Sequence, residues 1–168
     1  MIKNTLRGSW VLYPDGVLDT CIIVVTLFDN PLYHEGVEFL SNVLKRDIKA
    51  AIPLTSLFGA IHIAIKYLGV ESADVIRRVK EILETKSPAF YPTVSVEIVN
   101  QAVNYIEDYK ISPWDGYIVV LAKNIGNNIV YTFDKHFRKV PGLIIKNPFS
   151  EDLVRQYHKY LEDRLGKE

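Results

Sequence analysis

Three aspartates sit where solvation alone does not explain a carboxylate. Asp19 interrupts the apolar run Val17-Leu-Asp-Thr-Cys-Ile-Ile-Val-Val25, Asp134 ends the stretch Asn127-Asn-Ile-Val-Tyr-Thr-Phe-Asp134, and Asp115 falls in the first turn of a segment that opens Ser112-Pro-Trp-Asp. A charge beside a buried strand costs free energy unless it is paired, hydrogen-bonded or ligated. Carboxylates that converge on one rim repel one another unless a cation sits between them. An all-oxygen donor set suits a hard divalent cation, Mg²⁺ or Mn²⁺, which keeps several waters. Such a cation activates a bound water and orients a scissile phosphate, so phosphodiester hydrolysis is the chemistry these residues suggest.

Each residue also has a plainer reading. Asp115 stands three residues after Ser112 with Pro113 between them, the pattern of a capping box with proline at the first helical position. Asp134 could cap the turn after its strand. Asp19, among Leu and Ile, needs a partner on either reading. Lys135, His136, Arg138 and Lys139 form either a solvated loop or a cradle for substrate phosphates beside Asp134. His62 lies in a nearly all-apolar segment and reads as a core or interface histidine. The sequence has no HExxH pair, no phosphate-binding GxxxxGK[ST] loop, no GxGxxG and no GxSxG. Asp19-Thr-Cys also lacks the second aspartate of an Asp-x-Asp phosphatase nucleophile.

The elements that must position these carboxylates follow from periodicity and turn chemistry. Ser9 to Tyr13 reads as a short leading strand, Tyr13-Pro-Asp-Gly16 as a turn, and Val17 to Thr20 as a central strand apolar on both faces. Tyr33, Val37, Leu40 and Leu44 fall at helical spacing. Ala50 to Thr55 is a second strand. Ser56 is a cap for a helix over Leu57 to Leu68, apolar nearly all round and expected to be largely buried. A helix opened by Ser72 and Asp74 follows, then an extended piece from Phe90 to Ser95. The next helix carries Val99, Ala102, Val103 and Ile106 as its apolar face. The helix after Ser112 stops at Gly126-Asn-Asn. Ile129 to Phe133 and Leu143 to Ile145 are the last strands, and Ser150 caps a final helix. Strands alternating with helices imply an α/β fold with a mostly parallel sheet, whose ligands bind at the carboxyl ends of the strands.

The chain has 168 residues, is 48% hydrophobic, and balances 20 basic against 20 acidic side chains. That is one domain's worth of core, with residues 1–15 read as an N-terminal extension and 149–168 as the terminal helix segment. Zero net charge argues against coating nucleic acid by bulk electrostatics, though not against a nuclease with local basic patches. The single Cys21 leaves no internal disulfide framework and no cysteine-based zinc site. The first residues lack the pattern of a signal peptide, and no apolar run is long enough to span a bilayer. A cytoplasmic protein with no membrane association is the expectation.

From about Gly16 to Pro148 the chain resembles the PIN-domain family of toxins and RNA-processing nucleases. The resemblance rests on Val17-Leu-Asp-Thr20, on Trp114-Asp-Gly-Tyr-Ile-Val-Val-Leu-Ala122 and, most specifically, on Tyr131-Thr-Phe-Asp-Lys-His-Phe137. It implies a three-layer α/β/α sandwich and a Mg²⁺- or Mn²⁺-dependent endoribonuclease, often dimeric, with RNA as substrate and an antitoxin protein as partner. By this match Asp19, Asp115 and Asp134 are the metal ligands, Thr132 supports them, and Lys135 and Arg138 face substrate. The family's second acid, a Glu early in the helix after the second strand, would fall near Gly59 or Ala60, where this sequence has no carboxylate. Water or another carboxylate, Glu97 being one candidate, would have to substitute. The alternative is a weakened or inactive PIN domain that binds RNA or protein. The apolar Leu57–Leu68 helix and the aromatic final helix further suggest a homodimer.

Overall fold

Among the described residues the β-branched and aliphatic runs pair into five strands, all parallel. The computed structural model describes residues 14–166, so the expected strand at Ser9 to Tyr13 lies outside the described residues. The strands are β1 (Gly16–Leu18), β2 (Ala50–Pro53), β3 (Phe90–Tyr91), β4 (Ile129–Tyr131) and β5 (Ile144–Lys146), in the spatial order β3-β2-β1-β4-β5. The helices are α1 (Thr20–Val24), α2 (Tyr33–Leu44), α3 (Leu54–His62, continued by a π-helical turn Ile63–Tyr67), α4 (Ser72–Glu84), α5 (Val96–Tyr109), α6 (Pro113–Ile125) and α7 (Glu151–Leu165). A 3-10 turn spans Lys135–Lys139.

Successive strand residues feed opposite faces, as a period of two requires. Leu18, Ala50 and Ile52 belong to a core shared with α1, α2, α3, α4 and α7. Val17, Ala51 and Val130 belong to a second core dominated by α6. Helices therefore cover both faces, which makes the molecule the three-layer α/β/α sandwich expected. Gly116 allows a close helix contact: a Cβ there would lie 2.7 Å from the Ile106 side chain and 2.9 Å from the Ala102 carbonyl, so α5 can lie against α6 only at a residue without one.

From β1 the chain winds outward through β2 and β3, then crosses back to β4 and β5. The reversal falls between β1 and β4, and in open parallel sheets this switch point opens a crevice at the strands' carboxyl ends. There the backbone N–H of Asp19 donates to the Tyr131 carbonyl (3.0 Å) and that of Thr132 to the Lys146 carbonyl (3.0 Å), which ties both strand ends together.

Several expected boundaries move. The first strand stops at Leu18, and Cys21 to Val24 are helical. A short run buried on all sides gives the same apolar pattern in either conformation. Ser56 is not a cap: α3 begins at Leu54, with Pro53 at the N-cap position, and Ser56 is buried within the first turns. The helix expected to be largely buried leaves Phe58 70% exposed and Tyr67 65% exposed. On α5 only Ala102 is buried, and Val99 and Val103 face solvent. The extended piece after Phe90 is a two-residue strand, β4 ends at Tyr131, two residues before Phe133, and the last strand is shifted one residue along. The capping box at Ser112 and the cap at Ser150 are where the sequence places them.

Candidate metal centre at the switch point

Asp19 leaves the sheet as the residue after β1 and occupies the N-cap position of α1. It is 3% exposed. Its carboxylate Oδ2 accepts a hydrogen bond from Thr132 Oγ1 at 2.7 Å. Thr132 follows β4 directly and is fully buried. That hydroxyl has one proton, and it is committed to Asp19. It therefore accepts from the Asp134 backbone N–H (2.9 Å), and the Cys21 Sγ lies beside it at 3.3 Å. One buried hydroxyl thus links both strand ends and fixes the backbone of Asp134.

Asp134 is half-buried and caps the 3-10 turn. Its Oδ1 accepts from the His136 backbone N–H (2.8 Å) and lies 2.8 Å from His136 Nδ1. Lys135 and Arg138 are exposed on that turn, whereas Phe137 between them is fully buried and anchors it in the core. Asp115, half-buried, completes the capping box: its N–H donates to Ser112 Oγ (3.1 Å) and its Oδ2 accepts from the Ser112 N–H (3.3 Å). Because α6 runs antiparallel to the strands, its first turn lies at the same rim as the ends of β1 and β4.

The three carboxylates feel one another. Burial raises Asp19, hydrogen bonds from Cys21 and Thr132 pull it back in part, and the charges of Asp115 and Asp134 add to the rise, so that it stands at about 6. Asp115 is raised first by burial, with Ser112 opposing and the Asp134 charge adding to the rise. Desolvation and the Asp19 charge hold the Cys21 thiol well above the usual thiol range, so it is no nucleophile at neutral pH. The negative charge of this rim is therefore costly without a counter-ion.

The donors present suit a hard cation, being all oxygen. Among the described residues, no three His, Cys, Asp or Glu side chains close into a ready-made ligand cluster. A cation here would be held partly through water, as Mg²⁺ commonly is. Among the described residues Thr20 Oγ1, next to Asp19, is buried with no hydrogen-bond partner, which is the kind of group a bound water satisfies.

The absence of a carboxylate near Gly59 has a structural counterpart. A Cβ on Gly59 would lie 3.2 Å from Thr20 Cγ2 and 3.5 Å from the Trp114 ring, so the neighbours of Asp19 and Asp115 close over the position. Glu97 does not replace it: its carboxylate is exposed at the start of α5, bonded to its own backbone N–H and to Ser95, which lowers its pKa. Sequence reasoning missed the ring of His136 as a partner of Asp134. The Asp-x-His spacing was the available signal, but only the 3-10 turn brings the two together.

The PIN domain family model matches residues 16–143. Among solved structures, one chain of a toxin-antitoxin complex from Klebsiella pneumoniae is similar, with 19% identity over 80% of this chain and 98% of that one, and a TM-score of 0.54. At that identity the likeness speaks for the fold alone. No curated protein matches the chain.

Proposed function

Since the chain belongs to the PIN-domain family, whose members are typically nucleases, we propose that it is a metal-dependent endoribonuclease acting as the toxin of a toxin–antitoxin pair. The observation that carries this reading is the Thr132 hydroxyl that joins Asp19 and Asp134 at the switch point, with Asp115 close enough to raise the Asp19 pKa. Asp19, Asp115 and Asp134 would hold Mg²⁺ or Mn²⁺, which when bound activates water and polarises a phosphate. Thr132 holds the Asp19 carboxylate in one orientation, and Lys135 and Arg138 bind the phosphates that flank the cut.

The similar Klebsiella chain comes from a toxin-antitoxin complex, which motivates an antitoxin partner here. Among the described residues no helix is long and apolar enough to cross a membrane. The proposed action on RNA motivates a cytoplasmic location. Exposed Phe58 and Tyr67 motivate a homodimer, which light scattering tests; a clean monomer at micromolar concentration removes it.

A second reading is favoured by one observation, the lack of a carboxylate at Gly59 or Ala60. On that reading the fold binds RNA or protein without cutting. One experiment separates the two: RNA cleavage in Mn²⁺ or Mg²⁺ by wild type, Asp19→Asn and Asp134→Asn, with a chelator control. Cleavage lost in both variants and in chelator supports the nuclease. No cleavage in any metal, with RNA binding that survives both substitutions, supports the binding module.

A further inference from the structure

We propose that Trp114 is a stacking platform for an unpaired base, which makes single-stranded RNA the substrate class of this rim. The inference rests on the reading of the rim as an RNA site and adds a residue to it. Trp114 is the second residue of α6, directly before Asp115. The Asp134 charge acts on Asp115, so the first turn of α6 and the 3-10 turn share one rim. An indole beside these carboxylates has no part in holding a hard cation, which takes oxygen ligands. It stays 39% exposed, although the same helix buries every residue from Gly116 to Ala122.

The ring is also held in place. A Cβ built on Gly59 would lie 3.5 Å from Trp114 Cδ2, and no other indole atom would be nearer. Cδ2 is a ring-fusion carbon whose three bonds all go to ring atoms, so it is reached first only over the face of the ring. One indole face therefore lies against α3 at Gly59, and the exposed area is left to the opposite face and the outer edge. A ring backed on one side loses little freedom when a flat group is laid on the other.

Every base has a π-face, so stacking on such a ring tolerates sequence. A base inside a duplex is paired and already stacked, whereas a base of a loop, bulge or free end can be splayed onto an aromatic side chain. Lys135 and Arg138, exposed on the neighbouring turn, offer charges to flanking phosphates. A base on Trp114 and a phosphate on that turn would lay the backbone between them across the carboxylates. A packing role predicts something different. If Trp114 only seals α6 against α3, an apolar Leu would serve in its place and RNA affinity would not depend on the ring.

The test uses the full chain and a short single-stranded oligoribonucleotide of mixed sequence without self-complementarity. Its perfect duplex and an abasic strand of equal length are the controls. Affinity is read by anisotropy of the end-labelled strand in Ca²⁺ and in chelator, with the strand shown intact by gel, for wild type, Trp114→Ala, Trp114→Leu and Trp114→Tyr. Melting curves show that each variant is folded. The chain has two tryptophans, so Trp10→Phe leaves Trp114 as the only indole to report. Expected is quenching of that indole by the single strand and not by the duplex or the abasic strand. Affinity for the single strand should fall about 10-fold in Ala and Leu and stay within a few-fold of wild type in Tyr. Unchanged affinity in Trp114→Ala overturns the proposal, as does Leu binding as well as Tyr. An abasic strand that binds as tightly as the single strand overturns it too, and so does a wild type that binds no single strand. Cleavage of the same strand in Mn²⁺ or Mg²⁺ separates this inference from the nuclease reading. Ring-dependent binding without cleavage removes the nuclease and leaves the platform; cleavage with ring-independent binding does the reverse.

Discussion

On the β1–β4 side of the rim, Asp19 is buried and its carboxylate is held by the Thr132 hydroxyl; on the α6 side, Asp115 is half-exposed and held by the Ser112 backbone. The first arrangement joins residues 113 positions apart in the chain, the second residues three apart. The difference teaches which carboxylate depends on the fold. Asp115 would be positioned by any helix that starts with Ser-Pro-Trp-Asp. Asp19 is positioned only when two strands meet, and it carries the larger desolvation cost.

The largest effect expected from breaking this contrast is on Asp19. Asp19→Asn should lower RNA cleavage on the order of 1000-fold, the scale of several kcal/mol of charge stabilisation. The same change should stabilise the metal-free protein. A carboxyl raised to about 6 from 3.8 binds a proton in the folded state that the unfolded chain releases, so stability falls as pH rises across that window. Above about pH 6 the buried charge costs about 3 kcal/mol, and Asn removes it. Thermal melts should show the variant ahead of wild type at neutral pH and the gap closing as the buffer is made more acidic. A variant that melts lower at neutral pH would show that the charge is not a cost.

Thr132→Val comes next. It strips the donor from Asp19 and the acceptor from Asp134 N–H, and should weaken Mn²⁺ binding about 10–100-fold and stability by about 1–3 kcal/mol. Thr132→Ser should retain most of both. Calorimetric affinity equal to wild type in the valine variant would mean that the hydroxyl only supports the fold. A pH titration of wild-type Mn²⁺ affinity sharpens the contrast further: affinity should fall as pH drops through about 6, where Asp19 takes up its proton. In Asp19→Asn any residual binding should lose that step.

The smallest effect belongs to the α6 side. Ser112→Ala removes a helix cap and should cost about 1 kcal/mol, with Mn²⁺ affinity within a few-fold of wild type. A collapse of affinity there, measured in the same titration, would mean that Asp115 needs its cap as much as Asp19 needs Thr132.

Much of this arrangement was legible in the chain itself. The alternation of strands and helices pointed to a parallel α/β sheet, and Ser112-Pro-Trp-Asp and Ser150 marked their helix starts by local chemistry alone. Asp19, Asp115 and Asp134 were legible as anomalies, because a carboxylate in or beside an apolar run needs a partner. Other features were not. The run Cys21 to Val24 is apolar on every side and carries no period to separate helix from strand. Val99 and Val103 sit at helical spacing with Ala102, yet face solvent, since α5 meets α6 through Ala102 and Ile106 at Gly116.

By itself the sequence determined the class of fold, the caps and the identity of the charged groups, all of which depend on neighbours within a few residues. Only the tertiary structure decided that Thr132 would join Asp19 to Asp134, that the His136 ring would lie on Asp134, and that Thr20 and Trp114 would close over Gly59. Those contacts depend on the order of the strands and on where each ends. Local propensity fixes neither, because strand order and length are set by which apolar faces can be buried together.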